Sequence, residues 1–131
     1  MTSTQLFHCL HYADALGARS FLTALGFTEV LVVTDPDDPS VVRHAEFRWR
    51  DTGGVMFGSR GADAQGPVSV EAAGCYLVAE TDDEVDAIHA RAIEAGGTSV
   101  EVPADMPYGG RGCTITDPEG NHWSIGSYPG R

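Results

Sequence analysis

Apolar and polar positions alternate along the chain in a way that predicts the same order of elements twice. Short runs rich in apolar and β-branched residues predict strands, and two stretches whose apolar residues recur at helical spacing predict helices. In the first half, Asp14 caps a helix that runs to about Leu25 and is ended by Gly26. The apolar stripe of this helix consists of Ala18, Phe21, Leu22 and Leu25.

The second predicted helix carries similar signals at its start and its end. Thr81 and Glu84 form a capping box, in which both side chains accept hydrogen bonds from backbone N–H groups at the helix start. The helix runs to about Ala95, where two glycines follow. Its apolar face consists of Val85, Ile88 and Ala92.

The predicted strands complete a repeat of one strand, one helix and three strands. In the first half they are about Leu6–Tyr12, Phe27–Val33, Arg43–Arg50 and Gly54–Ser59, and in the second about Cys75–Glu80, Thr98–Val102, Arg111–Thr116 and His122–Tyr128. The halves overlay at a spacing that aligns Arg43 with Arg111 and Ser59 with Ser127. We predict one α+β domain over residues 1–131, with module one at about 5–60, a linker rich in glycine, alanine and serine at about 61–73, and module two at about 74–128.

Charge and composition exclude several kinds of partner and chemistry. The formal net charge is −11, which argues against binding to nucleic acid or to an anionic membrane. All eight basic residues are arginine, so no lysine is available for Schiff-base chemistry. No apolar run is long enough to span a membrane, and the first residues do not resemble a signal peptide, so we expect a cytoplasmic protein. The three cysteines are expected to be reduced thiols.

Three segments together resemble the vicinal oxygen chelate superfamily, which contains glyoxalase I, extradiol dioxygenases, fosfomycin-resistance enzymes and bleomycin-binding proteins. They are HYADALGARSFLTALGF at 11–27, CYLVAETDDEVDAIHARAIEAGG at 75–97 and YGGRGCTITDPEGNHWSIGSY at 108–128. These segments resemble most the PhnB-like and bleomycin-resistance-like branch. The resemblance implies two βαβββ modules that form a cup-shaped mixed sheet with the helices on its outer face. It also implies a homodimer, because family members of this length commonly dimerise.

The resemblance further implies four inward positions, where the metal-dependent relatives carry His or Glu. Counting from Asp14 and Asp117 and applying the internal repeat places these positions at Phe7, Met56, Cys75 and Ser124. Such side chains do not form a site for a hard divalent cation. We therefore expect no metal and no other cofactor. A bulge in the first strand would turn His8 inward instead, but one histidine does not hold a catalytic metal.

Strand alternation predicts which other side chains line the cup. We expect Phe47 and Trp49 on the same face as Met56, and Cys113 and Ile115 on the same face as His122 and Ser124. Trp123, Ile125, Val55 and Phe57 are expected beneath the helices. The predicted ligand-binding residues are Phe7, Cys9, Phe47, Trp49, Met56, Cys75, Arg111, His122 and Ser124. A filled core or a dimer interface is the alternative for these apolar positions, and it is equally supported for Phe7 and Phe47.

The polar candidates each have two interpretations. His122 is a hydrogen-bonded wall residue or a general base, and Cys75 is an inert thiol or a nucleophile. Arg111 binds an anionic ligand or forms a salt bridge with nearby carboxylates. No catalytic residue is assigned, because the sequence around His122 shows no Ser–His–Asp arrangement of a catalytic triad.

The favoured function is a metal-independent small-molecule binding protein that sequesters an aromatic or hydrophobic compound, with antibiotic resistance implied by resemblance alone. The first alternative is a metal-dependent lyase, isomerase or dioxygenase. The second is a non-catalytic structural dimer, and a metal-independent enzyme that uses His122 also stays open.

Overall fold

The computed structural model describes residues 6–60 and 74–129. The chain divides into two compact units, residues 1–69 and 70–131, and each is described by itself. We keep the names module one and module two for their described parts. The predicted linker at about 61–73 lies outside the described residues.

Module one is a four-stranded mixed sheet with one helix on one side. Its strands have the order β1-β4-β3-β2, in which β1 is parallel to β4 and the other pairs are antiparallel. The elements are β1 (Leu6–Tyr12), α1 (Ala15–Leu25), β2 (Thr28–Thr34), β3 (Val42–Trp49) and β4 (Gly53–Ser59).

Module two repeats this architecture. Its strands have the order β5-β8-β7-β6, again with one parallel pair between the first and the last strand. The elements are β5 (Gly74–Val78), α2 (Asp82–Glu94), β6 (Thr98–Asp105), β7 (Arg111–Thr116) and β8 (His122–Gly126). The prediction of an α+β fold with two βαβββ modules is confirmed.

The helix ends are made as the sequence predicts. The Asp14 carboxylate accepts a hydrogen bond of 2.9 Å from the Gly17 N–H, and Gly26 ends α1 with φ of 122°, a backbone conformation that favours glycine. Thr81 Oγ1 accepts from the Glu84 N–H, and the Glu84 carboxylate reaches back to the Glu80 N–H at 2.8 Å. Both helices therefore begin with satisfied backbone donors.

Strand β6 extends beyond its predicted end at Val102. It passes through Pro103 and continues to Asp105. This is possible because β6 is an edge strand whose pairing with β7 shifts register between Glu101 and Ala104, where a missing N–H costs little.

Each core lies between one helix and one face of its own sheet. In module one, Phe47 packs against Phe57 with ring centroids 5.4 Å apart, and Phe27 packs against Trp49 at 5.1 Å. In module two the completely buried side chains include Ile88, Ile115, Trp123 and Ile125. Among the described residues, no helix is long and apolar enough to cross a membrane.

Candidate functional site

The sheet side away from the helix is the open face of each module. In module one this face follows from the register, because directly paired residues point to the same side of a sheet. Met56 pairs with Cys9 on β1 and with Glu46 on β3, and Glu46 pairs in turn with Leu31 on β2. The open face of module one consists of Phe7, Cys9, His11, Leu31, Val33, His44, Glu46, Arg48 and Met56.

The prediction that Phe7 and Cys9 share the face of Met56 is confirmed, since Cys9 lies opposite Met56 and Phe7 opposite Gly54. The pairing along β1 is continuous, so no bulge turns His8 to that side. His8 lies opposite Val55 instead, and burial lowers the pKa of its imidazole, which favours the neutral ring.

The prediction that Phe47 and Trp49 share the face of Met56 is wrong. Phe47 pairs with Val55 and Trp49 with Gly53, so both lie on the helix side, where they are 1% and 6% exposed. The β3–β4 connection, residues 50–52, has an odd number of residues and therefore pairs odd-numbered residues with odd-numbered residues. The predicted strand ends at Arg50 and Gly54 also leave a connection of odd length, so the predicted bounds already favour the observed pairing.

In module two the same kind of error affects Cys75. Tyr76, not Cys75, lies opposite Ser124, and Cys75 lies opposite Trp123 on the helix side. Counting from Phe7 across the repeat places the position one residue too late, because the strand register makes Gly74 the equivalent of Phe7 and Tyr76 the equivalent of Cys9.

The inward placement of Cys113 and Ile115 is wrong as well. They pair with Ile125 and Trp123 and are buried under α2. The open face of module two consists of Tyr76, Val78, Thr114, Thr116, His122 and Ser124.

His122 and Ser124 lie on this open face as predicted. The Ser124 and Thr114 hydroxyl oxygens are 3.1 Å apart, and His122 is exposed. Tyr76 is the residue that the sequence interpretation missed. Its hydroxyl donates a hydrogen bond of 2.7 Å to the Tyr128 carbonyl, and its ring occupies the space that a side chain at Gly126 would need.

Arg111 is held by carboxylates. Its guanidinium donates to Asp86 at 3.0 Å and to Asp105 at 3.4 Å, and the hydrogen bond to Asp86 is the main reason that the pKa of Arg111 is raised. The structure therefore shows the salt bridge, and an anion-binding role of Arg111 stays a prediction.

Two of the three thiols have raised pKa values. Burial raises the pKa of Cys75, and it raises the pKa of Cys113 to about 11. A thiol nucleophile needs a lowered pKa, so these environments favour the inert interpretation of Cys75.

We expect iodoacetamide at pH 8 to label Cys9 first, because Cys9 is exposed whereas Cys113 is buried and its reactive thiolate is scarce below pH 11. Mass spectrometry of peptides along a time course measures the order. The unfolded protein in urea is the control, and there all three thiols should react at similar rates. Labelling of Cys75 as fast as Cys9 would favour the nucleophile interpretation.

A groove of about 280 Å³ lies on the open face of module one. Cys9, His11, His44 and Met56 contribute its walls together with Gly58 and Ser59. The His44 Nε2 atom lies 2.8 Å from a Glu46 carboxylate oxygen, so the imidazole is oriented by a neighbour on the same strand face. Arg43 also lines it, so the groove combines a thioether, a thiol, two imidazoles and one arginine.

The alternation along β3 carries a signal that could have located His44 and Glu46. Buried Ala45, Phe47 and Trp49 occupy the odd positions, so the polar side chains at the even positions must face away from the helix. An apolar cup lined by Phe47 and Trp49 was expected, but the observed face is more polar.

The class of protein is defined by two βαβββ modules, in each of which the first strand pairs in parallel with the last. The chain belongs to the Glyoxalase/Bleomycin resistance protein/Dioxygenase superfamily, whose family model matches residues 7–125. None of the curated proteins shows a significant match.

Solved structures show the same fold at low sequence identity. The PhnB protein from Bacillus cereus, titled a putative 3-demethylubiquinone-9 3-methyltransferase, has a TM-score of 0.72 and 18% identity over 94% of this chain and 98% of its own. TioX from Micromonospora sp. ML1 has a TM-score of 0.68 and 23% identity over 94% of this chain and 97% of its own. The hypothetical protein SA1046 from S. aureus has a TM-score of 0.70 and 22% identity over 93% of this chain and 91% of its own.

The metal that the family implies does not fit the donor set found here. Across residues 6–60 and 74–129, no three His, Cys, Asp or Glu side chains gather closely enough to hold a metal ion. Met56 and Ser124 occupy last-strand positions, and the residues opposite them are Cys9 and Tyr76. A hard cation prefers carboxylate and imidazole ligands, which these four positions do not supply.

Proposed function

We propose that this protein binds a small organic molecule on the open face of module one, without a metal ion. The groove beside Met56 is the observation that carries the proposal, because it is concave and combines apolar surface with a few oriented polar groups. Strand β2 adds apolar surface: Leu31 and Val33 are 43% and 42% exposed on the same face.

The chemistry of the face indicates the kind of ligand. Met56, Leu31 and Val33 offer a deformable apolar surface that suits an aromatic or hydrophobic body. The His44–Glu46 pair offers a hydrogen-bonding point at one end of the groove. A compound with a planar apolar part and one polar substituent meets both requirements. The proposed role is sequestration of such a compound.

The binding test uses methionine labelled with ¹³C at its methyl group, since the chain has only three methionines. We expect a screen of small aromatic compounds to find ligands that shift the Met56 signal saturably. The variant Met56→Ala should lower the affinity of these ligands by about five- to tenfold, because the contact between the ligand and the thioether is lost. The added chelator EDTA should leave binding unchanged.

Met106 lies on module two and provides the matched control. Its variant Met106→Ala should leave the affinity of these compounds unchanged. Ligands that shift only the Met106 signal, or that bind only after a divalent cation is added, would contradict the proposal.

A metal-independent enzyme is the second candidate, and the His44–Glu46 contact favours it. A carboxylate that orients an imidazole beside a groove is a general-base arrangement. The two candidate functions predict different effects of the variant His44→Gln. For an enzyme it abolishes turnover of a bound compound, whereas for a sequestering protein no turnover exists and only affinity changes.

A further inference from the structure

Module one has a second pocket, separate from the groove beside Met56. Its volume is about 390 Å³, and it is lined by Gly26, Thr28, Arg48, Arg50 and Asp51. Gly26 and Thr28 lie between the end of α1 and the start of β2, while the other three residues lie at the end of β3 and in the turn that follows. None of these residues lines the groove.

The pocket concentrates positive charge in an acidic chain. Three other arginines are neutralised by carboxylates: Arg19 by Glu29, Arg43 by Asp35 and Arg111 by Asp86. Arg48 differs, because within residues 6–60 and 74–129 it has no ion pair or hydrogen bond to a side chain. Its guanidinium therefore keeps its full hydrogen-bonding capacity for a ligand.

Arg50 is fixed in place by the core beneath it. Its guanidinium carbon lies 4.6 Å from the ring centroid of Trp49, which is itself buried and packed against Phe27. Among the described residues, Arg50 is the only one other than glycine with a positive φ, at 55°. Such a backbone is uncommon for a residue other than glycine.

The remaining lining residues define the charge of the pocket. The Gly26 N–H already donates to the carbonyls of Leu22 and Thr23, so the wall formed by the helix end adds no free donor. Thr28 adds a hydroxyl. Asp51 adds one negative charge next to the two arginines.

We propose that this pocket, framed by Arg48 and Arg50, is a binding site for an oxyanion, either a carboxylate or a phosphate group of a small molecule. Planar guanidinium groups match both anions in geometry and donate paired hydrogen bonds to them. Asp51 disfavours a second negative charge, so a monoanion is the better fit.

The test follows the side-chain Nε–Hε signals of arginine by ¹H–¹⁵N NMR, which number at most eight in this chain. Sodium acetate and inorganic phosphate are titrated separately at constant ionic strength, balanced with sodium chloride. We expect saturable shifts of the Arg48 and Arg50 signals with dissociation constants of about 1 mM, typical of a small polar ion. Tighter binding of acetate identifies a carboxylate site, and tighter binding of phosphate identifies a phosphate site.

Variants distinguish specific binding of the anion at this pocket from a non-specific effect of net charge. Arg48→Gln should weaken binding by about tenfold, because a charged hydrogen bond is lost. Asp51→Asn should strengthen it, with a larger gain for phosphate. The matched control Arg60→Gln changes the net charge of module one equally, outside the pocket, and should leave the dissociation constant unchanged. Linear shifts of equal size at Arg48 and Arg60, or equal effects of their variants, would overturn the proposal.

Discussion

Phe47→Ala is expected to destabilise module one by about 3–5 kcal/mol, the usual cost of removing a large aromatic side chain from a core. Phe47 is 1% exposed, lies opposite Val55 and contacts the ring of Phe57. Chemical unfolding in urea, followed by far-UV circular dichroism, measures the change in the free energy of unfolding.

Met56→Ala is the matched control for Phe47→Ala, because the two residues lie on opposite sides of the same sheet. Met56 is partly exposed on the open face, so its loss should cost about 1 kcal/mol. A cost for Met56→Ala as large as that for Phe47→Ala would mean that the two faces have been assigned the wrong way round.

Asp117→Ala in module two is expected to lower the free energy of unfolding by about 3 kcal/mol, because several buried donors lose their acceptor. Asp117 is 3% exposed, and its carboxylate accepts from the backbone N–H of Asn121 at 3.0 Å and from the indole Nε1 of Trp123 at 3.2 Å. The Asn121 side-chain amide also donates to it, at 3.0 and 3.2 Å.

Asp117→Asn refines the interpretation of Asp117→Ala. The substituted amide keeps one acceptor oxygen but places an NH₂ group against the donors of Asn121 or Trp123, so we expect it to recover less than half of the loss. Glu94→Gln, at the exposed end of α2, controls for the loss of one negative charge and should change stability by less than about 0.5 kcal/mol. Thermal unfolding of the three variants in parallel makes the comparison. Similar midpoints for Asp117→Asn and the unchanged protein would show that the carboxylate charge is not needed.

Local signals were sufficient to predict the order of the elements. Helix caps such as Asp14 and Thr81 act within one turn, and strand propensity acts within a short run, so neither depends on distant parts of the chain. The turn at residues 117–121 is also set locally, since Gly120 adopts φ of 89° there and the strands on both sides pair across it.

The faces of the strands could not be predicted in the same way, because they depend on register. Register is set by the number of residues in each connection and by the tertiary fit of both sheet sides, and an error of one residue reverses every side chain. Trp49 and Cys75 were misplaced by such a one-residue error, whereas Phe7 and Cys9 share the face of Met56 as predicted. The ligand-binding roles of Phe7, Cys9, Met56, His122 and Ser124 stay predictions.

The register of the two parallel strand pairs has a consequence for engineering. Cys9 faces Met56, and Tyr76 faces Ser124, although the two pairs are separated by different numbers of residues along the chain. A graft that copies a residue from one half to the other by simple numbering would therefore bury a binding group or expose a core group. Symmetric designs that join two copies of one half, matched strand by strand, avoid this mismatch.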